Sequence, residues 1–140
     1  MNVKIPAYTT IAIFMVMIII QLALAFGAPI AEISWGGQYE GVLPNSLRIA
    51  SLISAGIFVL IISAVLDKSQ LYDLYSNSRA STIIIWLFAM FLLLNTLGNL
   101  ASQSSLERAI MTPLSAVASI CMFLVARTDS TEKTSSELGM

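Results

Sequence analysis

The chain has 140 residues, of which 57% are hydrophobic and 11% are charged, and its formal net charge is −1. Soluble domains carry about 25% charged residues, so this composition excludes an ordinary water-soluble globule. The near-neutral charge provides no electrostatic basis for binding nucleic acid. Without histidine, and with one cysteine, Cys121, the chain offers no ligand set for zinc or haem, and we predict no metal site and no cofactor.

Four apolar segments follow one another along the chain, and none has a charged residue in its interior. Each is long enough to cross a bilayer core of roughly 30 Å. Because the backbone in lipid must hydrogen bond to itself, we predict helices at about residues 7–26, 49–66, 81–100 and 109–126. The fold class is therefore an all-α, four-helix membrane bundle over residues 1–127. The polar segment 128–140 has no apolar periodicity and is predicted to be a disordered tail.

The Lys and Arg residues between these segments predict their orientation, because cytoplasmic loops carry an excess of positive charge. More of them lie in the N-terminus, the middle loop and the tail than in the other two loops. The first group is Lys4, Lys68, Arg79, Arg127 and Lys133, and the second is Arg48 and Arg108. We therefore expect both termini in the cytoplasm and the loop of residues 27–46 on the outer side.

This outer loop, residues 27–46, is rich in glycine and proline, and it is too apolar for a mobile linker. Apolar side chains such as Trp35 and Leu43 would be costly to leave in water, so we predict a folded cap over the outer end of the bundle. Asn45 or Ser46 is the expected N-cap of the second helix. Two roles remain open for the loop: a lid that contacts a ligand, or a structural plug with Trp35 as an interfacial anchor.

The same region carries a resemblance. The pattern GAPxxExxWGGxxxGxLPxxLRxxS, spelled by residues 27–51, resembles one in uncharacterised small bacterial membrane proteins with four helices. Residues 107–113, ERAIMTP, are similar to the start of helix four in those proteins. The resemblance implies a four-helix, multi-pass bacterial membrane protein, and we expect it in the inner membrane. It implies no particular activity.

Polar residues within the predicted helices gather near the outer loop. Asn95 and Asn99 stand four residues apart, so they share one face of the third helix. With these two residues, the candidate ligand-binding residues are Gln21, Trp35, Arg48 and Gln103. Two explanations remain open: hydrogen bonds that join membrane helices, or an outward-facing polar pocket for a small amphipathic molecule or lipid.

Charged residues lie at the same outer rim: Glu32, Glu40, Arg48, Glu107 and Arg108. Both arginines stand near the start of a predicted helix, where the helix dipole does not favour a cation. We therefore predict that at least one salt bridge ties the loop to a helix start. Its role would be structural, and no residue is predicted to be catalytic.

These observations favour a non-catalytic membrane protein over an enzyme, because no acid, base or nucleophile converges on one place. The leading hypothesis is an accessory or scaffold subunit that assembles with itself, as a homo-oligomer, or with a larger membrane complex. The alternative is a binder of a small amphipathic molecule or lipid beneath the outer loop. An oligomeric channel is a weaker third hypothesis. A connected cavity around Asn95 and Asn99 would favour binding, and a fully packed bundle would favour assembly.

Overall fold

The computed structural model describes residues 3–74 and 78–128. In these ranges the chain forms four α-helices and no strand: α1 (Lys4–Ala25), α2 (Asn45–Lys68), α3 (Ser78–Leu100) and α4 (Ser105–Ala126). With 22 to 24 residues each, the helices extend about 33–36 Å at 1.5 Å per residue. All four are long and apolar enough to cross a membrane. The predicted all-α membrane fold is confirmed.

All four helices begin earlier than the sequence suggested, α2 and α4 by the larger margin. α2 begins at Asn45, and its N-cap is Pro44, which has no side chain that can accept a hydrogen bond. Neither Asn45 nor Ser46 therefore has the predicted capping role. α4 begins at Ser105 because the hydroxyl of Ser104 accepts a hydrogen bond from the backbone N–H of Glu107, as an N-cap residue does. The predicted disordered tail lies outside the described residues, apart from Thr128.

An apolar core fills the half of the bundle farther from the loop that joins α1 to α2. Every helix contributes fully buried side chains to it, including Phe14, Ile61, Ile85 and Met122. The ring of Phe14 packs against that of Phe58, with centroids 5.3 Å apart. Lipid tails are as apolar as these side chains, so the association of the helices depends on close packing rather than on removal from water.

Hydrogen bonds made by polar side chains join α3 to α4. The hydroxyl of Ser119 donates to the carbonyl of Ala89 at 2.9 Å. The Asn99 amide donates to the Ser115 hydroxyl at 3.3 Å, and the Thr96 hydroxyl lies 3.0 Å from the same oxygen. Each such bond between membrane helices contributes about 0.6 kcal/mol. Asn99 therefore fits the helix-joining explanation for the polar residues.

Residues 27–44, hereafter the cap, fold over one end of the bundle. The cap contains two short 3₁₀ turns, Ala31–Ile33 and Trp35–Gly37. A hydrogen bond of 3.0 Å from the Ala31 N–H to the Gly41 carbonyl closes it on itself. Buried Ala31 and Leu43 pack with Leu24 of α1 in a second apolar cluster. The cap is thus an ordered part of the fold, with an apolar interior of its own.

The cap approaches the α3–α4 connection very closely at Gly37. This residue has a φ of +66°, and a Cβ atom added to it would lie 2.3 Å from the Cβ of Ser104 and 2.6 Å from its backbone nitrogen. Only a residue without a side chain allows this contact. Gly41, with a φ of +70°, faces open space instead.

We expect the substitution Gly37→Ala to destabilise the protein more than Gly41→Ala. Both variants force alanine into the left-handed region, at roughly 1–2 kcal/mol, but only the first adds a clash, at about 1–3 kcal/mol more. Thermal unfolding in detergent should therefore give a lower Tm for Gly37→Ala. Equal Tm values for the two variants would contradict the close docking of the cap.

Candidate functional site

A cavity of about 530 Å³ lies between the four helices, beneath the cap. All four helices contribute to its walls, and residues 33–36 of the cap form its roof. Ligand sites in proteins have volumes of roughly 300–1,000 Å³, so the cavity is large enough for a small molecule. Its polar lining residues are Gln21, Ser34, Ser54, Asn95, Asn99 and Glu107.

The two ends of the cavity differ in chemistry. The end near the cap contains the amides of Gln21 and Asn95 and the carboxylate of Glu107. The end toward the middle of the bundle is lined by Phe88 and other apolar side chains, namely Met17, Phe58, Phe91 and Leu92. Asn95 and Phe88 are seven residues apart on α3, a separation of about 10 Å along the helix axis. The cavity is therefore amphipathic along its length.

The exposure of its lining residues indicates that the cavity opens sideways, between α2 and α3. Two of its lining residues, Ile57 of α2 and Phe91 of α3, are 37% and 55% exposed. By contrast, the lining residues of α1 and α4 are buried or partly buried. Ile57 and Phe91 each lie near the middle of their helix. In a bundle that spans a bilayer, this opening faces the hydrocarbon rather than water.

Two amide side chains in the cavity have no protein partner. Oε1 of Gln21 is buried and accepts no hydrogen bond within the described residues. Asn95 also lines the cavity, and its side chain makes no hydrogen bond within residues 3–74 and 78–128. A buried polar atom without a partner, such as Oε1 of Gln21, costs about 1–3 kcal/mol, whereas the Asn95 side chain is only partly buried. These amides are not explained by helix packing, in contrast to Asn99.

Trp35, in the roof of the cavity, has a strained backbone conformation. Its φ is +57°, a value that residues other than glycine rarely adopt and that costs on the order of 1–3 kcal/mol. The indole N–H donates to the hydroxyl of buried Ser51 on α2, at 3.4 Å. This bond ties the cap to α2 and leaves the ring as a wall of the cavity.

Glu107 ties the cap to α4. It lies at the predicted outer rim but is only 3% exposed. One carboxylate oxygen accepts a hydrogen bond from the backbone N–H of Gly36 at 3.1 Å, and the other accepts from the hydroxyl of Ser102. The first turn of α4 also favours a negative charge through the helix dipole. Glu107 is therefore both a structural clamp and part of the cavity wall.

The two rim arginines bind the ends of the preceding helices. Nε of Arg48, in α2, donates to the carbonyl of Ala25 at the end of α1, at 2.9 Å. Nη1 of Arg108, in α4, donates to the carbonyl of Ser102, just beyond α3, at 3.1 Å. The carboxyl end of a helix carries partial negative charge. Each arginine thus obtains its favourable electrostatic environment without a carboxylate partner.

The predicted rim salt bridges consequently do not form among the described residues. Glu32 and Glu40 are exposed, and the sequence-predicted participants were Glu32, Glu40, Arg48, Glu107 and Arg108. The physical reason is that each arginine finds backbone carbonyl acceptors at the end of the preceding helix. In an antiparallel pair, the start of one helix lies beside the end of the other, and the long arginine side chain reaches it.

Of the residues predicted to bind a ligand, Gln21, Trp35, Asn95 and Asn99 line the cavity. Arg48 and Gln103 do not line it, and Gln103 is exposed. Sequence reasoning missed Phe88 and Phe91. The sequence spacing could have identified them, because they lie three to four residues apart in series with Asn95 and Asn99, on a single face of α3.

Comparison with known proteins found no matching family model, no matching curated protein and no matching solved structure.

The substitution Glu107→Ala should loosen the cap. Hydrogen bonds to a charged group contribute about 1.5–3 kcal/mol, so hydrogen–deuterium exchange at Gly36 should accelerate by roughly tenfold or more. Glu40→Ala, which removes an exposed carboxylate from the same cap, is the matched control and should leave the exchange unchanged. Similar exchange in both variants would show that Glu107 does not hold the cap.

Proposed function

We propose that this protein binds a small amphipathic molecule or lipid in the cavity beneath the cap, and that the ligand enters from the bilayer between α2 and α3. The observation that carries the proposal is the pairing of unpartnered amides, Gln21 and Asn95, with apolar walls in one cavity. An amphipathic ligand would satisfy both ends at once, with its polar group at the amides and its tail along the phenylalanines.

The lateral opening supports a ligand of the membrane rather than of the surrounding water. Ile57 and Phe91 mark the opening near the middle of their helices, at the depth of the hydrocarbon. A ligand that dissolves in lipid reaches this position without crossing the cap. A strongly hydrated solute would have to lose its water before entry, at a cost of several kcal/mol for each unpaired polar group.

We assign the protein no catalytic role, because the carboxylate in the cavity, Glu107, is held by Gly36 and Ser102 in structural hydrogen bonds. We place it in the inner, or plasma, membrane of a bacterial cell, with both termini in the cytoplasm, as the loop charges indicate. In that orientation the cap and the polar end of the cavity lie on the outer side.

Assembly with itself or with a larger membrane complex, as an accessory or scaffold subunit, remains the second candidate. It is supported by exposed Gly56 of α2, which lies outside the cavity and faces open space where a Cβ atom would be. Exposed small residues let another membrane helix approach closely. Binding is preferred because the bundle contains a connected cavity around Asn95 and Asn99 rather than a continuous packed core. An oligomeric channel has less support, since the half of the bundle away from the cap is filled by apolar side chains.

The two asparagines provide the decisive comparison. We expect Asn95→Leu to keep or raise the Tm, because no protein partner is lost, and to abolish retention of a bound small molecule. Asn99→Leu should lower the Tm, because the bond to Ser115 is lost. Native mass spectrometry from a gentle detergent reports bound molecules and subunit number together.

The matched control for this comparison is Leu94→Ala, which alters a side chain of α3 that is 64% exposed and outside the cavity. This variant should retain the ligand. Retention of the molecule by Asn95→Leu, or a ligand-free wild-type protein that forms stable oligomers, would favour assembly over binding.

A further inference from the structure

The cavity favours one chemical class of head group, and this inference rests on the proposed binding function. We infer that the ligand is an alkylammonium amphiphile, a molecule with a protonated amine head and an apolar chain. Three features of the cavity support the inference. They are oxygens with free acceptor capacity, a buried carboxylate without a cation, and an aromatic lining.

The first feature is a set of oxygens with free acceptor capacity at the polar end. Oε1 of Gln21 is buried and accepts no hydrogen bond within the described residues. Each carboxylate oxygen of Glu107 accepts one hydrogen bond, although a carboxylate oxygen has two acceptor sites. At these three oxygens the missing partner is a donor, which the ligand can bring. An ammonium group carries three N–H donors and no acceptor.

The second feature is the charge of Glu107. Its two partners, the Gly36 N–H and the Ser102 hydroxyl, are neutral, and no Lys or Arg is among the described residues that line the cavity. The nearby arginines, Arg48 and Arg108, are directed to backbone carbonyls. A buried charge without an opposite charge is unfavourable. A cationic head group would compensate it, whereas a phosphate or carboxylate head would add like charge.

The third feature is the aromatic lining. Trp35 stands at the roof, and Phe58, Phe88 and Phe91 line the apolar part of the cavity. The face of an indole ring attracts a cation by about 0.5–2 kcal/mol, so Trp35 favours the ammonium head. The phenylalanines and Leu92 provide an apolar surface for the chain, which would extend toward the opening between α2 and α3.

Three probes of equal chain length, each with a bromine on the third carbon from the head group, separate the head groups: an amine, an alcohol and a carboxylic acid. Bromine quenches tryptophan fluorescence on contact, and the chain has only two tryptophans, Trp35 and Trp86. The Trp86→Phe variant makes Trp35 the sole reporter. The Trp35→Phe variant, reporting from Trp86, measures quenching by probe that is merely dissolved in the nanodisc.

We expect the amine to quench Trp35 at a concentration at least tenfold below that of the alcohol, and the carboxylic acid to be weakest. Equal or stronger quenching by the alcohol or the acid would overturn the ammonium assignment and leave the binding function standing. Quenching of Trp35 by all three probes no greater than that of Trp86 would instead overturn the binding function itself.

Two variants test which residues produce the preference for the amine. Glu107→Gln removes the charge and should bring the amine and the alcohol to within about threefold of each other. Gln21→Leu removes an acceptor without touching the bonds of the cap, and it should weaken amine binding severalfold. If Glu107→Gln does not fold, the head-group series and Gln21→Leu still decide. A full preference for the amine in folded Glu107→Gln, or unchanged amine binding in Gln21→Leu, contradicts the inference.

Discussion

The contact between the Glu107 carboxylate and the Gly36 N–H links two segments that are far apart in the sequence but adjacent at one end of the bundle. Around it, Ser102 supplies a second hydrogen bond to the same carboxylate, and Gly37 packs against Ser104 without room for a side chain. This cluster holds the cap over the ends of the helices. Because the cap forms the roof of the cavity, the enclosed polar space depends on it.

The two halves of the bundle follow different physical rules. Away from the cap, apolar side chains such as Phe14 and Met122 fill the interior, and the Ser119 hydroxyl bonds to α3. Near the cap, the interior is hollow and contains unpartnered amides. A cavity and unpaired polar groups both reduce stability. Proteins carry such local violations at functional sites, which is why the cavity, and not the packed half, supports a functional proposal.

The spacing of Asn95 and Asn99 along α3 does not by itself predict their structural roles. They share a helix face, as a four-residue interval requires, and both line the cavity. Asn99, one turn closer to the cap, meets Ser115 of α4 and becomes part of the helix contact. Asn95 lines the cavity without a hydrogen bond to another described residue, so its amide is available to a ligand of the kind proposed above. The difference arises from the packing of α3 against α4 and not from either residue's own sequence context.

By itself, the sequence determined the membrane-spanning helices, because a long uncharged apolar segment in lipid has helix as its only stable single-segment structure. It also indicated that polar residues gather near the glycine-rich loop. Only the tertiary structure decided that Arg48 binds the end of α1 and that Glu107 is buried against Gly36. Those contacts, and the cavity itself, depend on which helix ends lie side by side. Helical periodicity specifies a face of each helix, but the distance and angle between helices arise from their combined packing.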